Sequence, residues 1–261
     1  MRIKNALNLV KIIALWFLVN ACIPKHHIVY FPNPSLNKSS PVTTPNTLPV
    51  YKLQPTDVLS IRIKTLNKET SDYFNIVPEN GVQQWNPAGL YINGYSINAE
   101  GDITLPEVGK VKVAGMTVEE AQKAVQEKVK TYVGNVTILL KLISFKVTVL
   151  GEVNNPGYYY IYNDNATLLN ALAMAGDLTD FGNRTNIVLV RQTKEGTQSI
   201  VIDLNDPDVL SSKYYYLMPN DAIYVQPFKA KYARSNVNTL SVLGVLFGAI
   251  SSTILILNYL K

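Results

Sequence analysis

The cysteine at position 22 is the only cysteine among 261 residues, and its surroundings indicate what its thiol does. A basic beginning and a short apolar run, residues 12–19, lie upstream, and Ala21 directly precedes the cysteine. These three features together are typical of a secretory signal peptide. The run is shorter than the roughly 20 apolar residues that cross a bilayer. The pattern therefore predicts a signal peptide over residues 1–21, and it leaves Cys22 without a disulfide partner.

A lone thiol is explained if a lipid is attached to it. Residues 19–22, Val-Asn-Ala-Cys, resemble a bacterial lipobox, in which the cysteine is diacylated and becomes the new N-terminus. The alternative is an uncleaved signal anchor with a chance cysteine. Cleavage would leave 21 of the 24 basic residues against 19 acidic ones, a net charge of +2, which argues against a nucleic-acid partner. Residues 22–50, rich in Pro, Ser, Thr and Asn, predict a lipidated tether.

Other chemistry finds little support in the residue types. His26 and His27 have no third ligand at metal-binding spacing, so we expect no metal and no cofactor. The sequence has no Gly-x-Ser-x-Gly motif. A glycosidase needs only two carboxylates, so the residue types present do not exclude glycosidase activity. The acids considered for it are Glu100, Asp102, Glu107, Glu119 and Glu120. Two of these acids lie in a predicted turn, and two lie in the first turn of a predicted helix, where the helix dipole favours acidic side chains. We therefore expect that the protein is not an enzyme.

Residues 51–143 contain signals for several strands and one helix. The sequence "PTDVLSIRI" predicts a turn followed by an alternating strand over residues 58–63. Residues 99–102, Ala-Glu-Gly-Asp, indicate a hairpin turn. Thr117 and Glu120 form a predicted capping box at the start of a helix. The apolar face of that helix consists of Val118, Ala121, Val125, Val129 and Tyr132.

Residues 144–230 repeat this combination of strands with one helix. The sequence Asn-Pro-Gly predicts a turn in which Gly157 takes a positive φ. Thr167 is the predicted N-cap of the helix, and Gly176 is its C-terminal stop. The sequence "PNDAI" near the end echoes "PTDVL" near the beginning, and each predicts a turn into a strand. Strands with one helix in each half indicate an α+β fold.

Two stretches resemble a known family. The run "INAEGDITLPEVGKVKVAGMTVEEA" is similar to the polysaccharide export domain of Wza-type outer-membrane exporters. The run "VTVLGEVNNPGYYYI" begins a stretch similar to the soluble-ligand-binding β-grasp (SLBB) domain that follows it in that family. The family's structural motif positions are occupied here by Gly101, Pro106, Gly109, Gly151, Pro156, Gly157 and Gly176. The resemblance implies an export domain over 51–143 and one SLBB domain over 144–230, whereas the best-known members have two SLBB domains.

The resemblance also implies a function. Members of this type are outer-membrane lipoproteins with their main body in the periplasm, and they assemble as homo-oligomeric rings around a conduit for capsular or exopolysaccharide. An inner-membrane polysaccharide co-polymerase, often a tyrosine kinase, is the implied partner. The alternative is a periplasmic solute-binding lipoprotein that uses its β-grasp domain without channel activity. Tyr158–Tyr160 and Tyr214–Tyr216 have faces that stack on sugars, although aromatic residues are ordinary in strands.

The C-terminal segment, residues 235–260, contains no charged residue. As a helix it would reach roughly 39 Å, enough for a hydrocarbon core of about 30 Å. Its small or polar face contains Ser241, Gly244, Gly248, Ser251 and Ser252. Such faces are typical of contacts between membrane helices. We therefore expect a transmembrane helix. The resemblance to Wza-type exporters implies that it joins its copies in a helical barrel or lines a lumen, and a plain single-span anchor is the alternative.

Overall fold

The computed structural model describes residues 30–31, 41, 43–76, 87–163, 165–229, 231 and 237–259. The predicted signal peptide, Cys22, the two histidines and much of the tether lie outside these residues, so they stay predictions. Within the described residues, the buried apolar side chains form two clusters, one in each half of the folded body. Each half is therefore described as a unit with its own core.

The first unit combines a small antiparallel sheet with a helix and a hairpin. Its elements are β1 (Val58–Thr65), α1 (Lys68–Phe74), α2 (Pro87–Ile92), β2 (Tyr95–Ser96), β3 (Asp102–Leu105), β4 (Gly109–Lys112), α3 (Val118–Val133) and β5 (Val136–Leu142). The sheet has three strands in the order β2-β1-β5. In β1, Leu59, Ile61 and Ile63 are buried at alternate positions. The strand predicted over residues 58–63 is confirmed.

Helix α3 begins at the predicted capping box. The side-chain oxygen of Thr117 accepts from the Glu120 amide at 3.1 Å, and the Glu120 carboxylate accepts from the Thr117 amide at 2.8 Å. These two bonds satisfy amides that have no partner within the helix. The helix buries Ala121, Val125 and Val129. Tyr132 is 51% exposed, so the buried stripe stops one turn earlier than predicted.

The hairpin of the first unit lies later in the chain than predicted. Strands β3 and β4 pair with each other, and residues 106–108 connect them. Glu107 and Gly109 take positive φ values of 59° and 80° in this connection. The predicted hairpin turn at residues 99–102 is a turn that leads into β3, because β2 pairs with β1 and not with β3. The prediction of a hairpin at that position is therefore wrong.

Gly101 closes the open end of the same hairpin. Its carbonyl accepts the backbone N–H groups of Val113 and Ala114, both at 3.0 Å. Its φ is 87°, and a Cβ at this position would lie 2.5 Å from the Cβ of Ala114. A glycine is required here because both the backbone conformation and the close approach exclude a side chain.

The second unit is a mixed sheet with one short helix. Its elements are β6 (Lys146–Gly151), β7 (Gly157–Tyr160), α4 (Leu168–Met174), β8 (Gly182–Thr193), β9 (Gly196–Ile202), a 3₁₀ helix (Pro207–Ser211) and β10 (Ala222–Pro227). The five strands are ordered β7-β6-β10-β8-β9. Only β6 and β10 run parallel among these pairs. Together the two units form the expected α+β fold.

In the second unit, Gly151 takes the positive φ that the sequence assigns to Gly157. Gly151 has a φ of 89°, and a Cβ there would overlap the carbonyl oxygen of Val225 on the parallel strand. Gly157 lacks a positive φ, and the atom nearest to an added Cβ is the Tyr159 hydroxyl at 3.9 Å. The prediction for Gly157 is wrong because this residue begins β7 and pairs with Val149 in an extended ladder.

Helix α4 begins and ends close to the predicted residues. Thr167 is the N-cap, and its side chain accepts the amide of Asn170 at 3.2 Å. Ala175 is the C-cap, and Gly176 follows it with a φ of 74°. The amide of Asn155 donates to the Ala175 carbonyl at 2.8 Å, so the Asn-Pro-Gly loop packs against the end of the helix.

A final helix, α5 (Val237–Tyr259), lies within the predicted C-terminal segment. Over the residues that the structure describes, no helix combines the length and apolarity needed to cross a membrane. Membrane insertion of this segment stays a prediction. On α5, an added Cβ at Gly244 or Gly248 would meet no atom within 4 Å, while Leu246 and Phe247 are exposed.

Candidate functional site

The two Pro-x-Asp sequences form turns of the same geometry. Asp57 accepts the amide of Gln54 at 2.9 Å and donates its own amide to the Gln54 carbonyl at 3.2 Å. Asp221 makes the corresponding two bonds with Met218, at 2.8 and 3.1 Å. The residue before each aspartate takes a positive φ, 78° at Thr56 and 67° at Asn220. The sequence echo therefore corresponds to one local structure, placed once before β1 and once before β10.

Asp221 is fully buried and has a cationic partner. The Nε and Nη2 atoms of Arg191 donate to its two carboxylate oxygens at 2.9 and 2.7 Å. Burial raises the pKa of Asp221, and the Arg191 and Met218 hydrogen bonds oppose this rise. Arg191 also donates to the Tyr216 carbonyl at 2.9 Å. The pair thus ties the turn before β10 to β8, which contains Arg191, and its role is structural.

Asp57 is equally deep but lacks such a partner. Its side chain is 3% exposed, and within the described residues no lysine or arginine forms an ion pair with it. The Tyr51 hydroxyl donates to Oδ2 at 2.8 Å, whereas Oδ1 receives only a long bond from Ser144 at 3.4 Å. Burial raises the pKa of Asp57, and the bonds from Gln54, Tyr51 and Ser144 oppose the rise. One carboxylate oxygen therefore retains acceptor capacity.

The connection between the two units is fixed to both turns. The amide of Ile143 donates to the Val58 carbonyl at 3.0 Å, and the amide of Val58 donates to the Ser144 hydroxyl at 3.0 Å. On the other side, the amide of Asn220 donates to the Lys146 carbonyl at 2.8 Å. Residues 143–146 therefore bring the two aspartate turns to one shared space.

That space is a cavity of about 260 Å³. Both turns line it, together with a lysine and three tyrosines. The lining residues that bear on its chemistry are Asp57, Asn220, Lys146, Tyr91, Tyr160 and Tyr162. Lys146 and Tyr160 are cross-strand partners at the ends of β6 and β7, and this register places them side by side. A small cavity with aromatic walls and a few polar groups is typical of a ligand site.

The polar and aromatic lining of the cavity is suited to binding a ligand. The acids considered for glycosidase chemistry, Glu100, Asp102, Glu107, Glu119 and Glu120, are not among the residues that line the cavity. Glu120 is engaged in the capping box of α3. Across the described part of the chain, no group of three or more His, Cys, Asp or Glu side chains forms a metal site.

The sequence identified only part of this site. Of the two tyrosine triplets, only Tyr160 lines the cavity, whereas Tyr158 on the same strand is 69% exposed elsewhere. Tyr91 and Tyr162 were not predicted. The signal for Tyr162 was its spacing, because it stands two residues after Tyr160 and alternate residues of an extended chain share one side. The Pro-x-Asp echo was the signal for Asp57.

The predicted structural glycines and prolines lie away from the cavity. Gly101, Pro106 and Gly109 belong to the β3–β4 hairpin and its ends. Gly151 and Gly157 bound the loop that packs against α4. None of these residues lines the cavity, so their part is to shape the two units.

A second contact surface holds the tether against the second unit. The Tyr30 hydroxyl donates to the Asp177 carboxylate, and the Arg184 guanidinium lies over the Tyr30 ring at 4.8 Å. The amide of Phe31 donates to the Leu204 carbonyl at 3.1 Å. Burial and the neighbouring Asp177 raise the pKa of the Tyr30 hydroxyl. The tether is therefore attached to the domain at residues 30–31.

Comparison with known families identifies both units. Residues 45–142 match the family described as polysaccharide biosynthesis/export protein, and residues 146–203 match the SLBB domain. The first unit is therefore similar to a polysaccharide biosynthesis/export domain, and the second unit is similar to an SLBB domain. The resemblance seen in the sequence is confirmed.

Curated relatives include a polysaccharide export protein and a polysialic acid transport protein. The EPS I polysaccharide export outer membrane protein EpsA of Ralstonia nicotianae is 32% identical over 113 residues, covering 42% of this chain and 30% of that protein. The polysialic acid transport protein KpsD of Escherichia coli is 36% identical over 115 residues, covering 42% of this chain and 20% of that protein. The chain thus covers less than a third of the length of these relatives.

Proposed function

We propose that this chain is a subunit of an oligomeric outer-membrane assembly that exports capsular or exopolysaccharide from the periplasm to the cell surface. The observation that carries the proposal is the order of the two domains, an export domain followed by an SLBB domain. The names of the two relatives, one an exporter of a polysaccharide and one a transporter of polysialic acid, agree with it. Transport of a finished polymer needs no catalytic site.

The lipid anchor that we propose at Cys22 would lie close to the SLBB domain. Tyr30 is attached to that domain and stands eight residues after Cys22. An extended chain spans at most about 3.6 Å per residue, so the anchor and Tyr30 are at most about 29 Å apart. This short connection supports a body held next to the periplasmic leaflet of the outer membrane.

The C-terminal helix is the part that we propose to join copies in the membrane. In the single chain, the Gly244 and Gly248 positions meet no other atoms, and the apolar Leu246, Phe247 and Ile250 are exposed. The hydroxyls of Ser251 and Ser252 donate to backbone carbonyls of the preceding turn, which reduces the cost of placing them in an apolar setting. In the proposed ring, the small-residue face would contact neighbouring copies and the apolar face would contact lipid. The ring would also contact a co-polymerase of the inner membrane.

Deletion of the gene tests the export function. The deletion strain should still polymerise its glycan but should accumulate it inside the cell, as measured by polysaccharide assays on surface and intracellular fractions. Complementation with Cys22→Ala should fail to restore acylation and outer-membrane fractionation. Normal surface polysaccharide in the deletion strain would contradict the proposal, and cleavage of polysaccharide by the purified protein would contradict its non-enzymatic part.

A periplasmic solute binder is the other candidate. The names of the relatives describe export and transport and do not favour it. Detergent-purified, lipidated protein that forms rings in single-particle images would support the exporter. A monomer with a tightly retained small solute would support the binder.

A further inference from the structure

We propose that the cavity between the two units binds one sugar residue of a polysaccharide, with Asp57, Asn220 and the tyrosines as its contacts. This inference rests on the proposed export function and adds to it a specific contact with the polymer. The inference is based on the volume of the cavity and on the polar and aromatic groups that line it. Four properties of the cavity argue for a sugar.

The first property is size. The cavity has a volume of about 260 Å³. A hexopyranose occupies roughly the volume of six water molecules, about 180 Å³ at about 30 Å³ for each water. One ring therefore fits, whereas larger ligands commonly need pockets of roughly 300–1,000 Å³. The volume suits a single residue at a time, which is what a transient contact with a passing polymer requires.

The second property is the buried carboxylate. Asp57 is 3% exposed and its Oδ1 has only the long bond from Ser144, at 3.4 Å. The equivalent Asp221 has both oxygens occupied by Arg191. A carboxylate is an acceptor, and a neutral hydroxyl is a donor that satisfies it without bringing a second charge into the cavity. Sugars present several hydroxyls in fixed positions, so Asp57 is suited to them.

The third property is the set of polar groups nearer the surface. The side chain of Asn220 has no hydrogen-bond partner among the described residues, and Lys146 forms no ion pair with any of them. The amide both donates and accepts, and the ammonium offers three donors. Both groups complement hydroxyls, and Lys146 also complements the carboxylate of an acidic sugar.

The fourth property is the aromatic wall. Tyr160 is half-buried, and its ring packs edge-on against that of Tyr158, with ring centroids 6.1 Å apart and an interplanar angle of 84°. Tyr91 and Tyr162 are 66% and 78% exposed, so two large rings stand at the opening without cover. The C–H face of a pyranose packs on such rings while its hydroxyls point to the polar groups.

A side chain from a second copy of the protein is the competing occupant. The centres of protein–protein contacts are depleted of charged residues. This cavity contains a buried carboxylate and a lysine beside its tyrosines. The mixed lining therefore favours a sugar, and occupation by a second copy becomes an outcome of the test.

The test uses the full-length protein and two sugar probes, methyl β-D-glucopyranoside as the neutral one and D-glucuronate as the acidic one. Binding would be followed by saturation-transfer NMR and by tyrosine fluorescence at sugar concentrations up to tens of millimolar. We expect saturable, weak binding of at least one probe. Tighter binding of D-glucuronate would assign Lys146 a part in recognising acidic sugars.

Three variants locate the binding. Asn220→Gly removes the amide at a φ of 67° that glycine adopts freely, so the fold should be unharmed while binding weakens. Tyr162→Ala should weaken binding about tenfold, or ~1.4 kcal/mol. The matched control is Tyr132→Ala, an equally polar ring that is 51% exposed on α3 and should leave binding unchanged.

Three results would overturn the inference. They are the lack of saturable binding by either probe, equal binding by wild type and Tyr162→Ala, and variants that change the oligomeric state without any sugar binding. The last result would assign the cavity to contacts between copies. Each of these three results is compatible with the export function if the deletion strain still accumulates its glycan inside the cell. Conversely, sugar binding together with normal export in the deletion strain would overturn the export function alone.

Discussion

At the scale of single residues, two aspartates in the same turn have different surroundings. Asp221 is paired with Arg191, whereas Asp57 is held by hydroxyl and amide donors only. Removal of a charged partner from a buried pair costs roughly 3–5 kcal/mol, because the remaining charge is left uncompensated. The Asp221 turn is therefore structural, whereas the Asp57 turn leaves one oxygen with acceptor capacity, which the proposed sugar would use.

The raised pKa of Asp57 predicts a pH dependence. Burial raises this pKa from 3.8, so between the unfolded and folded values the folded state holds a proton that the unfolded state has lost. The free energy of unfolding then falls as pH rises through this range. Relative to Asp57→Asn, which does not titrate, the wild type should lose stability as the pH rises above 3.8, the ordinary pKa of this carboxyl group, until the carboxyl group of the folded state is ionised as well. Urea denaturation of both proteins measures the difference, and a constant or rising difference would contradict the assignment.

Gly151 and Gly157 offer a matched pair for a second prediction. Gly151→Ala forces a positive φ on a residue with a Cβ and drives that atom into the Val225 carbonyl. We expect a loss of about 1–3 kcal/mol or more in the free energy of unfolding. Gly157→Ala meets no such conflict and should change stability by less than about 1 kcal/mol, since alanine accepts this extended conformation. Equal melting temperatures for the two variants would refute the distinction.

At the scale of secondary-structure elements, the sequence predicts local structure better than it predicts which strands pair. The capping box at Thr117 and the N-cap at Thr167 are visible in the sequence because each depends on residues only three apart. The parallel pairing of β6 with β10 joins residues 148 and 222, and no local pattern encodes so distant a partner. The hairpin turn was misplaced for the same reason, since the Gly101 turn is strong locally but its flanking strands pair elsewhere. The cavity depends on both turns meeting, which only the folded chain reveals.

The start of α3 provides a test at this scale. Thr117→Ala removes the oxygen that accepts the Glu120 amide, and we expect a loss of about 1 kcal/mol in stability. The control is Thr131→Ala in the last part of the same helix, where the hydroxyl donates to the Lys128 carbonyl at an exposed site. That change should stay within about 0.5 kcal/mol. Chemical denaturation measures both, and a Thr117→Ala effect no larger than the control would contradict the capping role.

At the scale of the whole molecule, residues 30–31 of the predicted tether are attached to the folded body. Tyr30→Ala removes the hydroxyl bond to Asp177 and the ring beneath Arg184. We expect a loss of about 1–2 kcal/mol and faster hydrogen exchange at the Phe31 amide, which donates to Leu204. Tyr73→Ala, at a site that is 71% exposed, should change neither quantity. Unchanged exchange at Phe31 in the Tyr30 variant would show that the attachment does not depend on this ring.

The proposed ring depends on the C-terminal helix, whose two faces differ in the groups they present. In a membrane, burying leucine against leucine gives no advantage over lipid, so helices associate where small residues let backbones approach. Gly248→Leu should therefore weaken ring assembly and export, while the proposed lipid at Cys22 should keep the protein at the membrane. Phe247→Leu, the control on the apolar face, should do little. Single cysteines at positions 244 and 248 should crosslink between copies, whereas cysteines at 247 and 250 should not, because those positions would face lipid. Equal crosslinking on both faces, or none on either, would reduce α5 to a simple anchor and leave the ring to be formed by the two folded domains alone.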